Sequence, residues 1–509
     1  MLRNQLGISG VLALTKRLRA RPLLVTGFMK VVSQVHCRRR SWFSPALFAV
    51  LLAGCASFSP DGGMDAVNGI IAPVLRQDAV KMSGDDELTD TSVRVQRLLK
   101  SPLSAEAAIR VALVNNKALQ AAYNELGVAE AVMLEASLPP NPRFSVSGIS
   151  TPVELDLEAR IVANIFMLAT LPARQEIAAD RFRQAQLQAA AETLRVANET
   201  RRSYYGAVAA VQVVHSLDLA QSAADTSAKL AKELGDTGAM NKLDLARENT
   251  FRADVVTELT AARQRATGAR ERLVRALGLL DNVSALKLPQ SLPPLPSRPR
   301  ALAAVVETEA LRRRVDLQIA RIETDALAKS YGLTKATRFI NVLDVAGISR
   351  TQRDPGGPHG TGGGAEVEFQ VPIFDFGEIR LRQAEEAYMA AVNRLTAKAV
   401  EVRSQAREAY QAYQSSYEIA NHYRTDVLPL RQTISEESML RYGAMQIDVF
   451  SLLTEARQRI AANIAAIDAQ KKFWLASADL DAALIGGDVA GEGGISRVGP
   501  KPADSLAAD

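Results

Sequence analysis

Leu187, Ala190, Leu194, Ala197, Tyr204, Val208 and Val211 recur at three- and four-residue spacing, broken at Arg201. Leu381, Ala384, Tyr388, Ala391, Leu395 and Val402 repeat the pattern later in the chain. Such spacing draws one apolar stripe along a helix. No proline interrupts residues 173 to 288 or 373 to 428, so nothing in either stretch stops a helix. The first long helix is predicted from 173 to about 233, roughly 90 Å at 1.5 Å per residue. Ala at many of the knob positions gives a coiled-coil-like seam along which helices approach closely. A helix of this length needs equally long partners. Gly238 and Gly443 fall where each long helix should turn back, because Gly accepts the left-handed helix end. Pro429 is predicted to kink the second long helix. These stripes are read as helix-packing core, so their contribution to function is shape.

The period changes between the helices. In 143–150 (RFSVSGIS), Phe144, Val146 and Gly148 alternate with polar residues. In 365–377, Val367, Phe369 and Val371 alternate with Glu366, Glu368 and Gln370. This is the period of a strand with one wet and one apolar face. Two strand pairs are expected, at about 143–168 around Pro152 and at about 338–376 around the loop RTQRDPGGPHGTGGG (350–364). Segments of about ten residues are long enough to cross a bilayer as tilted strands. Four strands cannot close a barrel, and an open edge in lipid leaves unpaired backbone groups costing several kcal/mol each. Either the strands are soluble, or several chains close one barrel; three chains give twelve strands.

Two halves repeat one order: helix, strand pair, long helix, Gly turn, helix. Arg202-Ser-Tyr-Tyr205 aligns with Arg407-Glu-Ala-Tyr410, and Gly238-Ala239-Met240 with Gly443-Ala444-Met445, at one common offset. The first repeat is assigned to 101–287 and the second to 301–485. The Pro-rich stretch LPQSLPPLPSRPR (288–300) links them as a semi-rigid spacer. Residues 55–100 are expected to be an extended lead-in, and 486–509 a disordered tail.

Ahead of the repeats, Arg38, Arg39 and Arg40 precede the apolar run WFSPALFAVLLAG (42–54). This run is the right length for a secretory leader and short for a membrane helix. It ends Leu52-Ala53-Gly54-Cys55, the way bacterial lipoprotein signals end, so Cys55 is the expected lipidation site and 1–54 the leader. By resemblance to other bacterial lipoproteins, Ala56-Ser57, without an Asp after the Cys, implies outer-membrane sorting. Residues 1–28 look like a second, ill-formed leader, which places the true start at Met29. A twin-arginine signal around Arg39 is a weaker alternative.

Charge changes the picture once the leader is set aside. Lys and Arg number 61 against 56 Asp and Glu, but 1–54 holds nine of the basic residues and none of the acidic ones. The rest has 52 against 56, and nothing in that balance recruits nucleic acid. Hydrophobic content of 47% argues against global disorder. The two cysteines are Cys37 and Cys55, which excludes a disulfide framework or a multi-Cys zinc site. His215, His359 and His422 lack metal-ligand spacing. Gly360-Thr-Gly-Gly-Gly364 lacks the Lys-Ser/Thr of a phosphate loop and reads as a flexible hairpin tip. No catalytic constellation is visible, and no cofactor or metal is expected.

On the tandem halves, the hairpin before each long helix, Val371-Pro-Ile-Phe-Asp-Phe-Gly377 and the two Gly-containing tips, residues 101–485 resemble the TolC family of outer-membrane efflux proteins. The resemblance implies a mainly α chain with a β-barrel portion. Two repeats form a periplasmic barrel of long antiparallel helices, and four strands per chain close a twelve-stranded barrel in a homotrimer. It implies an exit duct, served by a periplasmic adaptor and an inner-membrane pump, and lipid-anchored through Cys55. The family commonly places an Asp six residues after the tip Gly. Asp244 fits Gly238; Asp448 comes five after Gly443, which makes that tip one residue shorter. The resemblance has Asp448 lining a closed aperture and Asp244 nearby, while plain helix capping remains open for both. Some relatives lock the gate with a tip Arg. The corresponding positions here are Met445 or Gln446, with Arg441 as a possible substitute. The alternative is a lipid-anchored periplasmic coiled-coil adaptor or scaffold, which normally has one hairpin rather than two. A lipid-anchored hydrolase is disfavoured because no nucleophile or metal set is present.

Overall fold

The computed structural model describes residues 57–82, 93–150, 155–238, 240–279, 286–301, 303–353 and 360–486. The chain divides into a unit of residues 1–55 and a unit of residues 56–509, and the described residues lie in the second. The leader, Met29, Cys37, Cys55, Pro152, His359 and the tail beyond 486 lie outside the described residues.

The lead-in is not wholly extended. It forms helix α1 (Met64–Leu75), and residues 93–99 are also helical. Val67 and Ile71, four residues apart, are fully buried. That spacing gives the segment an apolar face to lay on the body, which offsets the cost of ordering it. Asn68 pins the chain beyond α1 by bonding both the N–H and the C=O of Ala79. Helices α2 (Ala105–Asn115) and α3 (Lys117–Ser137) come next, with Ser104 and Asn116 accepting from the amides of Ala107 and Leu119 as N-caps.

The strands are β1 (Arg143–Ser150), β2 (Leu155–Asn164), β3 (Val342–Arg353) and β4 (Gly360–Gln370), paired antiparallel in the order β1-β2-β3-β4. Two expectations change. The second strand ends at Asn164 instead of continuing to Leu168, because the Asn164 side chain accepts from the Met167 amide at 2.7 Å and starts the short helix α4 (Ile165–Ala169). The Gly-rich run 360–364 is strand rather than hairpin tip, since Gly360 to Gly364 pair with Gln352 to Ile348. Glycine lowers strand propensity, but a long partner strand overrides it.

Helix α5 (Leu171–Asp236) has 66 residues, about 99 Å at 1.5 Å per residue. It packs against α6 (Lys242–Leu277) and, in the second half, against α11 (Val449–Ile485). The second half supplies α7 (Val306–Arg313), α8 (Val315–Ala336), α9 (Glu378–His422) and α10 (Leu428–Gly443). Both α9 and α10 pack on α11. Pro429 does not end this helix. Residues Tyr423–Val427 just before it widen into a π-turn, which absorbs the hydrogen bond and the space a proline denies the preceding turn.

The core is Ala-rich around a few rings. Tyr413, Tyr417, Phe473 and Trp474 pack ring against ring at 5.1 to 5.7 Å between centroids. The Pro-rich stretch is laid across this core: the Pro293 carbonyl accepts from Gln470 and from the Trp474 indole, and Tyr417 donates to the Ser297 carbonyl.

Candidate functional site: sheet wall and helical tip

Register sorts the sheet residues into two faces, because alternate side chains point to opposite sides. Phe144, Ile161, Gly347 and Ala365 lie in one cross-strand row, and Val345 and Val367 in a neighbouring row on the same face. Among the described strand residues the sole charge on that face is Arg353, at the far end of β3. The opposite face carries Arg143, Asp156, Glu158, Arg160, Asp344, Arg350, Glu366 and Glu368. Three ion pairs cross the strands there: Arg143 with Asp344 at 3.0 Å, Arg160 with Glu366 at 2.8 Å, and Arg350 with Asp156. The uncharged face nevertheless stands open, with Phe144, Val146, Val367 and Phe369 all exposed. An apolar face backed by a charged one is the pattern of a wall between lipid and water.

At the other end of the long helices, α5–α6 and α10–α11 each turn back. Gly238 is left-handed (φ 75°), and the Met240 amide reaches back to the Leu234 carbonyl. In the second tip the left-handed residue is Met445 (φ 56°), not Gly443. Gly443 is the last helical residue, and the turn closes by Gln446 N–H to the Arg441 carbonyl and Met445 N–H to the Tyr442 carbonyl. The tips therefore align Gly238 with Met445. Each reaches its N-cap three residues later, at Asn241 and Asp448, so the second tip is not shorter.

The two Asp residues consequently differ in position. Asp448 is the N-cap of α11 and accepts from the Ser451 amide at 2.8 Å. The Ser451 hydroxyl and amide, with a smaller pull from Arg247, hold its carboxyl below the usual range. Asp244 stands three residues past the Asn241 cap, whose side chain accepts from the Asp244 amide and donates to its carboxylate.

The cation at this tip is Arg247. It pairs with Asp244 at 3.2 Å and lies 4.6 Å from the centroid of the Phe450 ring. Arg457 of α11 returns the contact, 4.7 Å from the Phe251 ring of α6. Each helix thus gives one Arg and one Phe to a reciprocal pair of cation–π contacts. Arg441 contributes its carbonyl to the turn, and its side chain is exposed. On α6, next to Arg247 in the chain, Glu248 is fully buried with neither carboxylate oxygen hydrogen-bonded. Burial pushes its carboxyl up, opposed by the nearby Ser227 hydroxyl and the Arg457 charge.

Among the described residues no helix is long and apolar enough to cross a membrane. Residues 307–435 match the family of outer membrane efflux proteins. No curated protein matches the chain. Solved structures share its fold, and three of them are these. The outer-membrane channel OprN has TM-score 0.64 at 18% identity, covering 79% of this chain and 92% of its own. The outer membrane protein VceC of Vibrio cholerae has TM-score 0.61 at 15% identity, covering 75% and 96%. The open state of the MtrE outer membrane channel of Neisseria gonorrhoeae has TM-score 0.57 at 16% identity, covering 77% and 89%. The chain carries the fold of the outer membrane efflux proteins, the TolC family, and over residues 307–435 their sequence pattern as well.

Proposed function

We propose that this chain is one third of an outer-membrane exit duct, the outer component of a tripartite efflux or type I-like export system. The family is one of channels rather than enzymes. The carrying observation is the four-stranded sheet with one face whose sole charge among the described strand residues is Arg353, a charged opposite face, and edge strands β1 and β4 that pair on one side only among the described residues. In lipid each unpaired backbone group costs several kcal/mol, so the edges must be met by other copies. Three copies close twelve strands. The helices match this demand: α10 buries none of its residues within the chain, which suits a helix that completes its packing on a neighbouring subunit. The long helices extend the conduit into the periplasm, toward an adaptor and an inner-membrane pump. Acylation of Cys55 supplies a second hold on the membrane. Its neighbourhood is consistent with a tether, since the Ser59 amide and hydroxyl are both clamped to buried Glu130 at 2.6 Å.

The gate is the tip. Asp448 and Asp244 face the aperture, Gly238 and Met445 set the turns, and the Arg247–Phe450 and Arg457–Phe251 contacts hold the two hairpins of each chain together. Asp448→Asn tests the gate separately from the fold, because Asn caps a helix about as well as Asp. The duct reading predicts that wild-type protein resists carbonate extraction, runs as a trimer in mild detergent and conducts ions in planar bilayers, and that the Asn variant loses cation preference. Release from membranes as a monomer would overturn the duct. Unchanged selectivity in a conducting trimer would leave Asp448 as a cap alone.

A further inference from the structure

Along one side of α6 runs a buried stripe. Glu248, Phe251, Val255, Leu259 and Ala262 follow at three- and four-residue spacing, and all are buried. Phe251 and Val255 pack with Ala220 and Ala224 of α5 and, across to the other hairpin, with Leu453 and Ile460 of α11. The stripe therefore belongs to the seam between the two hairpins. It is apolar except at the end nearest the tip, where Glu248 stands. An ionised carboxylate without a partner is costly at such a position, and both oxygens of Glu248 lack a hydrogen bond. The protonated acid is the form this seam accommodates, and burial raises its titration accordingly.

Two groups from the helices packed on α6 act on this acid: the nearby Ser227 hydroxyl of α5 and the charge of Arg457 of α11. The neighbouring cations of α6 are engaged elsewhere, Arg247 with Asp244 and Phe450, and Arg252 with Asp225 of α5 at 2.5 Å. Arg457 makes no ion pair among the described residues, and its guanidinium lies 4.7 Å from the centroid of the Phe251 ring. Of the other acids around it, Asp254 and Glu258 line the same groove, and Glu455 is paired with Arg431 at 3.3 Å. Glu248 stands one turn before Phe251 on the same stripe. One guanidinium is thus offered two partners, a ring and an acid. While the acid is neutral the ring keeps it; once the acid is ionised, a charge-assisted pair in a dry seam outweighs the ring contact.

We propose that Glu248 and Arg457 form a proton-operated latch of the tip. With Glu248 protonated, Arg457 holds Phe251 and the hairpins stay fastened; with Glu248 ionised, Arg457 turns to the carboxylate, the ring is released and the seam loosens. The proposal rests on the tip being the gate. An open tip wets Glu248 and lets it titrate near the ordinary 4.5, whereas the closed tip holds the proton to higher pH. Between those two values closing takes up a proton from solvent, so acid seals the tip and rising pH releases it. The ratio of open to closed tips changes about tenfold for each unit that separates the two titrations.

Single-channel recording of the purified trimer from pH 4.5 upward, with open fraction as the readout, tests the latch. The wild type should open progressively as pH rises. Glu248→Gln copies the protonated acid and leaves Asp244 and Asp448 in place, so any response of those tip acids persists in it. It should stay as closed as the wild type is in acid and lose the rise. Arg457→Gln should keep a rise but move its midpoint to higher pH, because the ionised carboxylate has lost its cation. Its open fraction in acid should exceed that of the wild type, because the ring contact is gone too. Should Glu248→Gln fail to assemble, the midpoint in Arg457→Gln decides alone, since mere loss of packing would leave that midpoint in place. A rise that survives unchanged in Glu248→Gln, or a midpoint that stays put in Arg457→Gln, would overturn the latch while leaving the duct intact. A trimer that conducts at no pH would overturn the duct, and the latch with it.

Discussion

Arg247→Ala should unfasten the tip by about two- to fivefold. Among the described residues, Arg247 is the side chain that touches both an acid of α6 and a ring of α11. Its ion pair with Asp244 at 3.2 Å is partly exposed, at 45% and 32%, so solvent screening limits it to about 0.5 kcal/mol. The guanidinium over Phe450 contributes about 0.5–1 kcal/mol. The ion pair lies within α6, so it is kept whether or not the tips are fastened. The contact across to α11 is the cation–π one, and about 0.5–1 kcal/mol per chain is about a two- to fivefold change in the ratio of fastened to unfastened tips. The assay is single-channel recording of the purified trimer at low voltage, with open fraction as the readout. Arg247→Lys keeps a charge for Asp244 but stacks less well, so it should fall between wild type and Ala. Phe450→Ala combined with Arg247→Ala completes a double-mutant cycle. If the two act through one contact, the double variant opens little more than the stronger single one. Open fractions that do not move in Arg247→Ala, or that multiply independently in the cycle, would refute the fastening role.

Two further outcomes are expected from buried groups. Glu248→Gln should stabilise the hairpins near neutral pH and flatten their pH dependence. Its folded carboxyl titrates above the ordinary 4.5, so the ionised form penalises the fold above that raised value. The penalty is relieved as pH falls toward 4.5, and thermal unfolding of the wild type should improve over that interval while the Gln variant stays level. A wild-type curve without this rise would contradict the buried carboxylate. Gly377→Ala should cost more than Gly238→Ala. Both replace a left-handed glycine, at about 1–2 kcal/mol, but a Cβ meets open space at Gly238 and the Arg338 carbonyl at Gly377. Equal melting temperatures for the two variants would show that the turn yields.

The long helices were legible because their stripes repeat over many turns and carry no proline. The strands were legible because Val367 and Phe369 alternate with Glu366 and Glu368. Local chemistry then shifted the ends. Asn164 could cap a helix, and so closed β2 early, while the glycines at 360–364 joined β4 because β3 was long enough to pair them. The second tip was read two residues out of register, since Gly443 looked like the left-handed residue and Met445 took that conformation at a cost no propensity reveals. In the lead-in, Val67 and Ile71 carried a helical spacing too short to stand out. Arg247 and Phe450 lie far apart in the chain, and only the fold brings them together. The cation of the tip stands on α6 of the first hairpin, whereas the resemblance directed attention to Arg441, Met445 and Gln446 of the second.

Closure of the sheet between subunits is tested most directly by disulfide trapping across its open edges. Within one chain β1 and β4 are separated by two strands, about 14 Å at the usual spacing, beyond the reach of a disulfide. Cysteines at Ser145 or Ser147 of β1, paired with cysteines at Gly362 or Gly364 of β4, all lie on the charged face, and a Cβ fits at both glycines. Oxidation in isolated outer membranes should convert the chain into covalent trimers for at least one pairing. Monomers that keep free, reactive thiols in every pairing would contradict a barrel closed by neighbouring copies.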